Sequence, residues 1–339
     1  MTMPDGAVTG TIAVRAGAIV VREIGFDAAR ALTGGGTGRI AAVFARAIYL
    51  RTPRGWACAG PPGLGSGPLN LLCELPDALD WTTRGLRPGG AIEIGEKAID
   101  LGRGLVLALD GARVWRPAPT GPWSRESLDE GLRALDELTA AALPEAGLAT
   151  FLRRNAAAAS PEACKAAPSV AILHAWLQGA PEPNALPPHS VLEAATGLLG
   201  LGPGLTPSGD DFLGGLLIAL RLLNRGALGA RLWTGLEAAA ARRSLDLSVA
   251  HLCAAAAGRG SAALHAALNA IVTGRTDDLP AVLERIEEIG HTSGWDALAG
   301  AVTALRSFTE GPVNRGQAAN LACSPWVDIK DLWSYTKER

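Results

Sequence analysis

Pro117-Ala118-Pro119-Thr120-Gly121-Pro122 places three prolines and a glycine in six residues, and it divides the chain. Proline removes a backbone donor and both residue types interrupt periodic segments, so no regular element runs through it. The sequence on either side has a different period. Before it, residues 11–21 and 40–50 are rich in β-branched and apolar residues. The shorter runs 91–94, 98–101 and 105–109 are separated by Gly95-Glu96 and by Gly102-Arg103-Gly104, the composition and punctuation of strands. Asp110-Gly111, between 105–109 and 112–115, is a two-residue hairpin signal. Strands so closely spaced argue for an antiparallel barrel or sandwich and against βαβ units.

After it, Leu128, Leu132, Leu135 and Ala142 fall on one face of a helix that Ser124 or Ser127 can cap. Further helices are predicted at 144–156, 169–179, 190–199, 211–224, 230–242, 247–257, 260–273, 279–289 and 295–308, with a proline-rich connection at 181–188. Segment 211–224 is apolar on most sides, which marks a buried central helix. The fold class expected is α+β: a β-rich, barrel- or sandwich-like domain at 1–117, a linker at 118–123 and an α-helical domain at 124–310. Residues 311–339 lose the period and form a tail, docked through Trp326 and Trp333 or loose.

With 339 residues, 48% hydrophobic and 19% charged, the chain has enough apolar material for a sizeable core. A formal charge of −2 gives no global attraction to nucleic acid or membrane. The five cysteines are scattered, with no CxxC and no zinc spacing, as expected of reduced thiols; Cys253 reads as a small core residue. No charged-then-apolar leader is visible at the N-terminus and no apolar helix is long enough for a bilayer, so a cytoplasmic protein is expected.

The chemistry concentrates at Gly200-Leu201-Gly202-Pro203-Gly204-Leu205-Thr206-Pro207-Ser208-Gly209-Asp210-Asp211-Phe212. Glycines allow positive φ and close ligand approach, and successive amides ahead of a helix can cradle an anion. Asp210 and Asp211 suit a hard cation such as Mg2+, the one cofactor the motifs suggest. Capping is the competing reading, with Thr206 as N-cap before Pro207, or Ser208 as N-cap with Asp211 three residues on. It accounts for one hydroxyl and one acid but not for the glycines, so the loop is read as a ligand site.

Gly290-His291-Thr292-Ser293-Gly294-Trp295-Asp296 is a second candidate. Ser293 and Asp296 make a capping box, which leaves His291 as an acid/base or a hydrogen-bond donor. Arg242-Arg243-Ser244-Leu245-Asp246-Leu247-Ser248 is either a surface pair with a cap or an arginine clamp for carboxylate or phosphate. The Gly63–Leu71 loop reads as a turn that could also admit a ligand through Ser66 and Asn70, and 33–38 reads as a flexible loop. His174, His189, His251 and His265 are isolated and read as structural. No Ser-x-x-Lys, Gly-x-Ser-x-Gly or His-x-x-x-His pattern occurs, which counts against the familiar hydrolases and metalloproteases.

The run from Gly202 to Phe212 resembles the signature of the AllH-like family, associated with a subunit of oxamate carbamoyltransferase. Ser248 to Gly258 resembles that family's Ser-x-x-x-Leu-x-x-Ala-x-x-Gly helix, and Gly290 to Gly300 its last motif. Gly63 to Leu71, followed by Arg87-Pro88-Gly89, fits the N-terminal half more loosely, and the resemblance extends over about residues 10–308. Ser244-Leu245 stands where Thr-Asn or Thr-Thr is expected, which leaves the substrate open. The resemblance implies phosphorolysis of oxalurate to oxamate and carbamoyl phosphate at the end of anaerobic allantoin breakdown, a branch of purine catabolism. It also implies partner subunits encoded nearby, and other carbamoyl or amide compounds as alternative substrates. Combined with the motifs, it nominates Asp210, Asp211, His291, Ser293 and Asp296 for catalysis. Gly202, Gly204, Thr206, Ser208, Gly209, Arg243 and Ser248 are nominated for substrate and phosphate binding. Two other readings stand beside it: a binding or scaffolding subunit without chemistry of its own, and an amide or ureido hydrolase acting alone.

Overall fold

The structure is a computed structural model that describes residues 17–310 except 77, 142 and 155–159. Ala142, residues 11–16, part of the predicted 144–156 helix and the 311–339 tail with Trp326 and Trp333 therefore lie outside the described residues. The chain forms two compact units, Met1–Pro117 and Ala118–Arg339.

The first is an eight-stranded barrel. Strands β1 (Ile19–Gly25), β2 (Gly36–Val43), β3 (Ile48–Thr52), β4 (Gly55–Gly60), β5 (Asn70–Cys73), β6 (Ala91–Ile94), β7 (Ala98–Asp100) and β8 (Val106–Ala108) run in the order β5-β4-β3-β2-β6-β7-β8-β1. Antiparallel pairing of β1 with β5, Val21 opposite Cys73 and Ile24 opposite Leu71, closes the ring. Closure removes the sheet edges that an open sandwich leaves. Val21, Ile40, Ile48, Leu50, Leu71, Ile92, Ile99 and Leu107 are buried and fill the core.

Local readings in this half need correction. Asp110-Gly111 does not make a hairpin. β8 and β9 (Arg113–Trp115) both run parallel to β1, β8 beside Ile19-Val20 and β9 beside Glu23 to Gly25. The turn only steps the chain along an edge of β1 longer than β8 can cover. Residues 40–50 are parts of two antiparallel strands, β2 and β3, with Phe44 to Ala47 as the turn. Residues 36–38 are not a flexible loop but the start of β2, paired with β6. A helix, α1 (Phe26–Leu32), went unread because it spans only seven residues.

The second unit is helical: α2 (Arg125–Ala141), α3 (Pro161–Gln178), α4 (His189–Leu198), α5 (Ser208–Leu222), α6 (Gly226–Arg243), α7 (Asp246–Ala256), α8 (Ala262–Val272), α9 (Leu279–Glu287) and α10 (Ser293–Glu310). Ser124 and Ser127 exchange backbone-to-hydroxyl hydrogen bonds at the start of α2. Where a helix was expected at 144–156 there is a short 3-10 turn, Ala149–Leu152. Helix α5 is the central one, burying Phe212, Leu213, Leu216, Leu217, Ile218 and Leu220. Cys253 is exposed and not a core residue. His265 is buried and its Nε2 accepts from the Gly260 amide at 3.1 Å, so burial pushes its pKa down to about 4 and keeps the ring neutral.

Candidate functional site

Neither Thr206 nor Ser208 caps α5. The helix starts after Pro207, which has no side-chain cap bond. The first-turn amides of Asp210 and Asp211 both donate to the Pro207 carbonyl instead. That leaves the two hydroxyls for other work. Asp210 turns away from them, buried and held by three donors. Its Oδ1 accepts from the Gly200 amide at 2.8 Å and the Ser244 hydroxyl at 2.9 Å. Its Oδ2 accepts from the Ser248 hydroxyl at 2.6 Å. One carboxylate thus ties the start of the glycine loop to the end of α6 and the start of α7, and Ser248 serves that tie.

Asp211 faces the start of α10. The Thr206 and Ser293 hydroxyls stand 3.0 Å apart and both lie beside its carboxyl group. The second acid there is Asp296, fully buried, whose Oδ1 accepts from the Leu148 amide at 2.6 Å. The Ser208 and Thr292 hydroxyls lie beside Asp296. Each acid therefore has a threonine from its own loop and a serine from the other helix.

This exchange reflects a repeat in the chain. Gly204-Leu205-Thr206-Pro207-Ser208-Gly209-Asp210-Asp211-Phe212-Leu213-Gly214-Gly215 and Gly290-His291-Thr292-Ser293-Gly294-Trp295-Asp296-Ala297-Leu298-Ala299-Gly300 share Gly-x-Thr, then Ser-Gly-x-Asp-x-Leu-x-Gly. The first copy carries one extra residue, Pro207. The contacts are reciprocal: a Cβ on Gly215 would overlap the Ala297 carbonyl, and a Cβ on Gly300 would overlap the Phe212 carbonyl. Residue i meeting j while j meets i is the mark of a local two-fold relation. The serine-following glycines also correspond, because Gly209 abuts the Leu198 carbonyl at the end of α4 and Gly294 the Ile286 carbonyl near the end of α9. Gly209 is thus a packing glycine.

The two acids are electrostatically coupled. Burial pushes the Asp211 carboxyl well above the usual range; its two hydroxyl neighbours pull it down, while Asp296 and Asp210 add to the rise. Burial likewise raises Asp296, to about 6, against the bonds from Leu148, Ser208 and Thr292, with Glu162 raising it a little further. Asp211 as a residue is partly exposed, but its Oδ2 is buried without a hydrogen-bond partner, and so is Oδ2 of Asp296. Buried polar atoms are normally paired, so each of these two oxygens has hydrogen-bonding capacity to spare for a ligand.

His291 is exposed on the turn before α10 and is not among the groups that surround Asp211. Arg243 is exposed, with its Nε 3.4 Å from the Leu199 carbonyl. Gly202 and Gly204 have φ of 107° and 97° and shape the loop. In the barrel, the Pro68 carbonyl accepts from the Asp27 and Ala28 amides at 3.0 Å, so the Gly63–Leu71 loop holds the start of α1. For the Mg2+ expectation, Asp210 already accepts three hydrogen bonds away from Asp211, and no group of three or more His, Cys, Asp or Glu side chains among the described residues can hold a metal ion. Thr292 was missed, and the repeat is the signal that could have found it. Nothing in the sequence points to Gly147-Leu148.

The fold and these contacts define a barrel unit followed by a helical unit with a duplicated Ser-Gly-x-Asp helix start. The model of the family described as oxamate carbamoyltransferase subunit AllH matches residues 198–305, a narrower span than the sequence motifs suggested, yet one containing both copies. No curated protein and no solved structure matches the chain. No helix among the described residues is long and apolar enough to cross a membrane.

Proposed function

We infer that this chain is a subunit of a carbamoyltransferase that binds a small carbamoyl compound and phosphate, with phosphorolysis of oxalurate to oxamate and carbamoyl phosphate as the reaction. The observation that carries this reading is the AllH match over residues 198–305, which spans Thr206, Ser208, Asp211, Thr292, Ser293 and Asp296 and leaves outside it the Leu148 amide and Glu162 beside Asp296. Two features of the site support it. The amides of Gly202, Gly204, Leu205 and Thr206 donate to no acceptor among the described residues, and they precede the positive end of α5, a setting that favours an anion. Beside them, the Thr206 and Ser293 hydroxyls are placed to hydrogen-bond an amide or carbamoyl group. In this reading the loop holds phosphate, the hydroxyls orient the carbamoyl group toward it, and proximity supplies much of the rate.

The test is reconstitution. The purified chain is expected to cleave oxalurate slowly or not at all, and turnover dependent on inorganic phosphate should appear on adding the co-encoded subunits. Thr206→Ala with Ser293→Ala should then raise the KM for oxalurate. If the reconstituted assembly is active and indifferent to that double variant, the chain is a scaffold and its partners hold the site. Hydrolysis by the isolated chain without phosphate would identify an amide or ureido hydrolase.

A further inference from the structure

We propose that Asp211 delivers the proton to the nitrogen that departs from the carbamoyl carbon, and that Asp296 completes a two-carboxyl unit holding one proton between them. This rests on the carbamoyl-transfer reading and assigns the proton handling within it. The geometry leads there. Gly215 and Gly300 let the backbones of α5 and α10 approach closely about two turns in from their starts, and the crossed serines hold the acids in one buried cluster. Each acid keeps one oxygen, Oδ2, buried and unpartnered, Asp296 from a fully buried side chain. The other charges that act on the two acids are also negative: Asp210 raises Asp211, and Glu162 on α3 raises Asp296. Two carboxyls buried together resist double ionisation, and burial drives Asp211 toward the protonated form.

The chemistry needs such a group. A phosphate oxygen forms a bond to the carbamoyl carbon while the bond from that carbon to the oxamate nitrogen breaks. The electron pair stays on nitrogen, and an amide anion is too basic to leave without a proton. Asp211 supplies it from Oδ2 and becomes a carboxylate. The attacking hydrogen phosphate gives up its own proton as the new mixed anhydride forms. The pair, for a moment doubly ionised and buried, takes that proton back. One proton leaves the pair and one returns, so the cycle closes without any other reactant.

Asp211→Asn keeps the shape and removes the transferable proton. In the reconstituted assembly it should lower turnover at least about 100-fold, the low end for general acid catalysis, while calorimetry shows oxamate and inorganic phosphate binding unchanged. Asp296→Asn removes the neighbouring negative charge, so the alkaline limb of the rate profile should move to lower pH. A readout free of catalysis uses the isolated chain: infrared spectra near neutral pH should show a protonated-carboxyl band that Asp211→Asn removes. Wild-type turnover in Asp211→Asn, loss of binding together with turnover, or an unmoved limb in Asp296→Asn each overturns the proton-donor role. Absence of the carboxyl band from the wild-type chain overturns it whatever the reaction is. An assembly that shows the band but never cleaves oxalurate refutes the carbamoyl-transfer reading instead.

Discussion

Asp210 and Asp211 are neighbours in sequence with opposite physical situations, and substitution should separate them. Asp210→Ala strands three donors, the Gly200 amide and the Ser244 and Ser248 hydroxyls. The expected loss of stability is about 3 kcal/mol, read by urea denaturation, because unsatisfied buried donors cost far more than a bond contributes. Asp210→Asn keeps one acceptor oxygen and should cost less than half of that. Asp211→Asn should cost no stability, since its Oδ2 has no partner to lose. A matching loss at both positions would mean the pair acts as one structural unit. Asp296 makes a pH prediction with a definite sign. Its pKa is raised from 3.8 to about 6, so the native state binds this proton more tightly than the unfolded chain. The contribution is therefore most favourable below the unfolded value and is lost as pH rises toward 6. At 1.36 kcal/mol per unit the full swing is about 3 kcal/mol, and Asp296→Asn should abolish it. The difference in unfolding free energy between variant and wild type, followed from pH 4 to 7, checks this. A flat difference across that range would place the Asp296 titration elsewhere.

At the scale of elements, α5 and α10 depend on glycine where their backbones meet. Gly300→Ala or Gly215→Ala drives a methyl into a backbone carbonyl that cannot swing aside. The expected cost is about 3 kcal/mol, the upper end for overpacking, together with lost alignment of Asp211 and Asp296. Gly214→Ala is the control: its methyl would meet the Ala255 Cβ at 3.6 Å, an ordinary contact. Better helix propensity should then raise stability by up to about 1 kcal/mol. Melting temperatures of the three variants check the series, and equal destabilisation at all three would mean that helix bending, not the reciprocal contact, sets the cost. The helices themselves were legible because a 3.6-residue apolar period is local, as at Leu128, Leu132 and Leu135. Barrel closure was not, because the β1–β5 pairing joins segments about fifty residues apart and no local pattern encodes it. The same divide runs through the site. The Gly202–Asp211 and Gly290–Asp296 segments stand out by composition, and their polar groups do meet. Which acid is held and which faces the cluster depends on Ser244, Ser248 and Leu148, residues that nothing in either segment announces. The Asp-Gly turn misled for a related reason: a turn's chemistry fixes its own dihedrals, not the partner of the strand that follows.

At the scale of the whole molecule, the groups around Asp211 and Asp296 all belong to the second unit, while the barrel's former edges are closed except at β9, which pairs only with β1 among the described strands. The expectation of partner subunits therefore stands on the family match alone. A measurement on the isolated chain then separates a ligand-binding subunit from a scaffold before any assembly is rebuilt. A ligand that binds only the native state adds RT ln(1 + [L]/Kd), about 2.7 kcal/mol at a hundredfold excess over Kd. For a unit of this size that amounts to a rise of roughly 5–10 °C in melting temperature. Inorganic phosphate with oxamate should produce such a rise in the wild-type chain. The rise should shrink in Thr206→Ala with Ser293→Ala, because both lose hydroxyls beside the loop, and persist in Asp211→Asn, which keeps the shape of the site. Chloride at the same ionic strength should produce none of it, since a cradle of aligned amides selects by geometry and general screening does not. If phosphate and oxamate leave the transition of the wild-type chain unmoved at millimolar concentration, the amides of the 202–206 loop bind no ligand on their own. The cluster around Asp211 would then be a packing feature of the α5–α10 pair.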